Sequence, residues 1–187
     1  MANIGLSQPY AALYSVTAGA ISYSGLAKLG KATTVNVTID GKDPQILYAD
    51  NGPAESLTLF GGGTVTLGID ELDLATAAKV LGLAAPASNG GITFVADAVA
   101  PYMGLGFVTK KIVGGAIKYR VVILYKVQFK TPDFSVDTQG ETVSFQTPEL
   151  EASILRDDAT PAKWSMWQDY DTEAAALAAL QTALGGT

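Results

Sequence analysis

The chain has 187 residues, of which 48% are hydrophobic and 16% charged, with a formal net charge of −6. That length suits one domain with a well-filled core, and a charged fraction below the roughly 25% of ordinary globular domains fits either an Ala- and Gly-rich core or apolar surface kept for other subunits. The absence of Cys and His excludes disulfides, thiolate chemistry, Cys-type zinc sites and imidazole as base or ligand, and a reducing compartment is the natural setting.

The opening stretch, MANIGLSQPYAALYSVTAGAISYSG, has no basic n-region and no continuous apolar core, so no signal peptide is expected. The longest apolar runs, VVIL and AAALAAL, fall far short of the ~20 residues of a membrane-spanning helix. TTVNVTID (33–40) places Val35, Val37 and Ile39 on one face of a strand. QILYAD and ESLTLF follow as short strands around the turn ADNGPA. Val65, Leu67 and Ile69 then alternate, and LTLFGGGTVTL predicts a hairpin connected by Gly61–Gly63.

DELDLATAAKVLGL (70–83) changes to the helical period. Asp73 is the expected N-cap, Leu74, Ala77, Ala78 and Leu81 share a face, and Gly82 is the left-handed stop. After the loop AAPASNGG, strands are predicted at ITFVAD, GLGFVTKKI and AIKYRVVILYKVQFK. In the last, Val121, Ile123, Tyr125, Val127 and Phe129 are assigned to one face. The other turns from apolar at Val122 and Leu124 to polar at Lys126, Gln128 and Lys130.

A polar loop leads to a strand at ETVSFQT, and LEASIL adds another. KWSMWQDYD is expected to be irregular, with both Trp packed on the sheet. DTEAAALAALQTALGG predicts a terminal helix over about 172–184, capped by Asp171 or Thr172, striped by Leu177, Leu180 and Leu184, and ended by Gly185. The expected fold is mainly β, as a single domain over 1–187.

The candidate chemical motifs are weak. GLAKLGKA (25–32) matches a P-loop through Gly30 and Lys31, but Ala32 stands where Ser or Thr would hold magnesium, and a strand follows instead of a helix. DELD (70–73) and RDD (156–158) offer oxygen ligands for a hard cation; a helix start favouring acids and a solvated charged loop explain them more simply. Asp169 is the one acid in an aromatic context, beside Trp164 and Trp167, and packing is the simpler role for those rings than glycoside chemistry. A Ser–His pair is impossible, and a Ser–Lys pair has no local signature. Neither an enzyme nor a cofactor is expected. Residues 1–130 carry ten Lys/Arg against eight Asp/Glu, and residues 131–187 two against ten. Such an acidic chain is poorly suited to grip phosphates by counterion release.

Taken in order, LYADNGPAE (47–55), GGGTVTLGIDEL (61–72), KVLGL, APYMGLGFV (100–108), YRVVILYKVQF (119–129), TQGETVSFQTPELEA (138–152) and the Trp-containing end resemble the major tail tube proteins of long-tailed, non-contractile (siphovirus-type) bacteriophages. The resemblance runs through nearly the whole chain. It implies a β-sandwich or half-barrel with one flanking α-helix, to which this chain adds a C-terminal helix, and an N-terminal arm over about 1–18. It also implies hexameric rings whose sheets join edge to edge around a β-barrel lumen, stacked into the tube that delivers the genome. The implied partners are copies of itself, a tape measure protein and a tail terminator; DNA passes through without specific binding and no membrane is involved. The implied location is the virion tail, after assembly in the host cytoplasm.

On length, polarity and turn content, 39–56 and 130–142 are expected to be inter-subunit or inter-ring loops. They carry Asp43, Asp50, Asn51 and Glu55 in the first, and Asp133, Asp137 and Glu141 as lumen or interface acids in the second. A net acidic lumen would let DNA slide without sticking. The competing expectations are a tail terminator, completion or head-decoration protein, and a β-sandwich carbohydrate-binding module using Trp164, Trp167 and several Tyr as sugar platforms.

Overall fold

A computed structural model of the chain describes residues 2–41, 45–49, 52–57, 60–86, 90–133 and 147–186. In chain order the elements are β1 (Ala2–Thr17), β2 (Ala20–Lys28), β3 (Ala32–Gly41), β4 (Gln45–Ala49), β5 (Gly52–Leu57), β6 (Phe60–Ile69), α1 (Leu74–Leu81), β7 (Tyr102–Val113), β8 (Ala116–Phe129), β9 (Glu149–Leu155), β10 (Ser165–Tyr170) and α2 (Glu173–Ala183). One antiparallel sheet has the order β2-β1-β7-β8-β9-β6-β3, with β10 also paired to β8, and β4–β5 form a separate two-stranded sheet.

β2 and β3 stand at opposite ends of that order, yet only Leu29, Gly30 and Lys31 separate them in the chain. So short a link forces the sheet to curl until its ends approach. Leu29 N–H donates to the Pro9 carbonyl at 2.9 Å, and β1 packs against β3. The protein is therefore mainly β, with one open, curled antiparallel sheet and two helices.

The inside of the curl is the main core. Val65, Leu67 and Ile69 of β6 are fully buried there, as their alternation predicts, with Leu105, Leu124 and Ile154. α1 closes one end of this core. Asp73 caps it, its carboxylate accepting from Ala75 N–H at 3.1 Å and Thr76 N–H at 3.2 Å, and Gly82 stops it at φ 69°. The buried face is Ala77, Ala78, Val80 and Leu81; Leu74, expected on it, is exposed.

A second core lies on the outer face of β7 and β8, under α2. Ala176, Leu180 and Leu184, spaced four apart, are fully buried against Ala12, Val108, Val121 and Ile123. Thr172 caps this helix, its hydroxyl accepting from Ala175 N–H at 3.2 Å. Leu177, expected in the stripe, is only half-buried, and Ala176 takes its place. Gly104 makes the seat: a Cβ there would lie 2.6 Å from the Tyr23 ring and 2.8 Å from Leu184.

Five predictions are corrected by the pairing. Met103 faces Val127 while Leu105 faces Leu124, so three steps of β8 oppose two of β7. This β-bulge at Tyr125–Lys126 shifts the side-chain phase by one residue. Val121 and Ile123 therefore lie under α2, whereas Val127 and Phe129 turn inward, and the five residues assigned to one face are split. Gly61–Gly63 are not a hairpin loop but part of β6, where Gly63 pairs with Ile39. A Cβ on Gly63 would come 2.5 Å from the Thr38 carbonyl, so glycine is required by the approach of a neighbouring backbone. ITFVAD (92–97) forms no strand and pairs with none of the sheet's members.

The end KWSMWQDYD, expected to be irregular, contains β10, whose residues pair with Tyr119–Leu124. β9 and β10 run the same way along one edge of β8. Leu155 faces Lys126 and Ser165 faces Leu124, so 156–164 is an excursion opposite the single residue Tyr125. The segment expected as an N-terminal arm is β1, paired on both sides, with β2 and β7. The strand expected at ETVSFQT lies, apart from Thr147, outside the described residues.

Candidate assembly surfaces

In the large sheet, three strands, β2, β3 and β10, each leave one edge without a partner strand among the described residues. An unpaired edge presents a row of backbone donors and acceptors to any strand that can reach it. β10 is the best furnished of the three. Asp169 accepts from Arg120 Nε at 2.8 Å and Nη2 at 3.2 Å, one on each oxygen, and also pairs with Lys111 Nζ. Lys111 is only 3% exposed at its side chain, and this pairing is what makes its burial tolerable. The Arg120 hydrogen bonds, then Lys111, pull the Asp169 carboxyl down to about 2. On the solvent side, Arg120 lies 5.4 Å from the centre of the Trp167 ring, and Trp167 is 61% exposed. Lys118 and Asp171 form a further pair at the end of the strand.

The depressed Asp169 value makes a sign-definite prediction. Because the folded value lies below the ordinary 3.8, ionised Asp169 stabilises the fold above pH 3.8, and that contribution is lost as the pH falls through about 2. Asp169→Asn should thus be less stable than wild type at pH 7, with the gap closing between about pH 4 and 2 in urea unfolding. Solvent exposure keeps the effect modest. A gap independent of pH would show that the carboxylate charge is not the cause.

The excursion 156–164 is held by its two acids. Asp157, buried, accepts from Lys163 N–H at 2.6 Å and Ala159 N–H at 3.3 Å, and its own N–H donates to the Lys163 carbonyl at 2.7 Å. Asp158 accepts from the Tyr14 hydroxyl at 2.6 Å and from Lys126 Nζ at 2.7 Å. Lys126 in turn lies 5.1 Å and 4.6 Å from the ring centres of Tyr14 and Tyr102. Burial, helped by Asp158, pushes the Tyr14 hydroxyl up to about 12. RDD is therefore not a solvated charged loop but the fastening of the excursion to β1 and β8. DELD is equally committed: Asp70 accepts from Lys31 N–H and Glu71 N–H, and Asp73 caps α1. No cluster of three or more acids placed to hold a metal ion occurs among the described residues.

The two Trp differ. Trp164 stacks on Phe60, centroids 5.2 Å apart and planes 6° from parallel, against the inner core; Trp167 does not pack as expected but faces solvent. Of the predicted interface residues, Asp43, Asp50, Asn51, Asp137 and Glu141 lie outside the described residues. Glu55 lies on β5 opposite Leu47, in a paired strand and not in a loop. Asp133 is exposed beyond the end of β8. Sequence reasoning missed Lys111 and Arg120, whose signal, charged residues within strand patterns, becomes legible only with the pairing. No family model matches the chain, and no curated protein matches it.

Proposed function

We propose that the chain is a structural, non-enzymatic subunit that polymerises into a tube, as the major tail tube protein of a long-tailed, non-contractile phage. The observation that carries this is the set of open edges on β2, β3 and β10 in a chain with only 16% charged residues. Edges of this kind are templates for strands of other copies, and identical head-to-tail contacts close into a ring when the rotation allows. The ordered motifs described above support the tail tube assignment and, with it, six-fold rings, a half-barrel contribution to a lumen, and partners that include a tape measure protein and a tail terminator. The net charge of −6 favours passage of DNA over its retention.

Negative-stain microscopy of the purified protein, with sizing across concentration, tests the proposal. Tubes of one diameter are expected; single rings that never stack would point to a terminator, and a monomer at every concentration would overturn the proposal. Deleting 50–55 removes Gly52–Glu55 of β5 from the separate two-stranded sheet, so a folded subunit that no longer forms tubes is expected. Unchanged tubes would exclude that hairpin from the contacts. The exposed Trp167 beside Arg120 gives a carbohydrate-binding module its one supporting feature, and glycan binding by a strictly monomeric chain would favour it.

A further inference from the structure

We infer that the two ends of the β7–β8 strand pair are the two halves of one head-to-tail contact between copies of this chain. β7 has 12 residues, so at ~3.3 Å per residue its ends lie about 36 Å apart. One end is an apolar knob and the other a recess with a mixed polar and apolar lining.

The knob is the hairpin turn between Val113 and Ala116, which are directly paired. Gly114 and Gly115, at φ 57° and 83°, supply the two positive angles of the tight turn that matches strand twist. Among the described residues nothing lies within 4 Å of where a Cβ on either would stand. Ile112, Val113 and Ile117 around it are exposed, as is Ile4 of the adjacent β1, at 51%. The recess lies at the opposite end, where β7 starts and β8 finishes. It has a volume of about 500 Å³, and its lining joins apolar groups such as Leu83, Phe94 and Val99 to the polar Gln128, Lys130 and Thr131. Its rim is exposed too, with Val99 at 75%. Clustered apolar surface of this kind marks contact sites in folded proteins.

Charge selects the occupant. Near the knob, Lys111 and Lys118 are neutralised by Asp169 and Asp171, which leaves Lys110 without an ion pair among the described residues. Around the recess, Lys130 is neutralised by Glu151, which leaves Asp97, Asp133 and Glu149 exposed and likewise unpaired. A basic knob thus meets an acidic rim, and both belong to this chain, so the partner is a second copy. Knob into recess is a heterologous contact whose repetition gives an open line of subunits. Its place as the axial contact between stacked rings rests on the tube proposal; the contact itself does not.

The cysteine-free sequence makes the test direct. Val99→Cys and Ile117→Cys fall on exposed positions, and unchanged circular dichroism confirms the fold. On mild oxidation, the double variant is expected to give a ladder of cross-linked multimers, and an equimolar mixture of the two single variants a dimer. Each single variant alone should cross-link at least ten-fold less. Tubes in the microscope without a ladder would overturn this contact and leave the tube proposal standing. A ladder without tubes would do the reverse, and monomers with neither would overturn both.

Discussion

Leu180→Ala is expected to lower the unfolding free energy by about 3 kcal/mol and the melting temperature by roughly 6–12 °C for a chain of this size. Leu180 is fully buried between α2 and β7. Below it is Gly106, where even an added Cβ would come within 3.1 Å of the leucine, so the seat is flush and the glycine itself has no side chain to fill the void. Neighbouring interiors relax only partly around such a hole, and the lost contacts are not recovered. Leu177→Ala is the control, since Leu177 is half-buried one turn away and its truncation should cost ~1 kcal/mol. Equal losses for the two variants in urea unfolding would show that α2 is not seated on the β7 glycines.

Asp157→Ala should cost about 3 kcal/mol, because two backbone N–H groups that donate to a buried carboxylate would lose their acceptor. Both bonds, from Lys163 and Ala159, end on the same oxygen, Oδ1. Asp157→Asn retains an oxygen there and is expected to restore more than half of the loss. That rescue separates the hydrogen-bonding role from the charge. Urea unfolding of the three proteins at pH 7 reads it out, and an asparagine variant as unstable as the alanine variant would contradict the assignment. The structural consequence falls on the edge of the sheet, since the excursion held by Asp157 sets where β9 ends and β10 begins.

Elements governed by their own residues were legible in the sequence. The Val65–Leu67–Ile69 alternation, the Asp73 cap and Gly82 stop of α1, and the Thr172 cap of α2 are local chemistry, and all are present. Features governed by a partner strand were not. The bulge in β8 shows only in its pairing with β7, where the register shifts between Met103 and Leu105, and nothing within AIKYRVVILYKVQFK announces it. ITFVAD has the composition of a strand and forms none, while WSMWQDY lacks alternation and finds an edge on β8. Gly61–Gly63 carry the composition of a turn, but the close approach of the Thr38 backbone puts them in a strand. The candidate site was the least legible for the same reason. An open edge is a property of strand order, and a knob and its recess lie about 36 Å apart on one long strand pair, so neither appears as a motif.

The pairing of β1 with β7 has a consequence for the order of events during synthesis. Ala2 faces Ile112 and Leu13 faces Met103, so β1 leaves the ribosome and waits for a partner roughly a hundred residues later. At ~5–20 residues per second, the β1–β2 hairpin waits on the order of 5–20 s before β7 emerges. During that interval its inner edge is as open as its outer one. Neighbouring nascent chains on one message present the same waiting edge. Slowing translation after codon 28 should therefore raise the aggregated fraction without changing the stability of the protein that completes its fold.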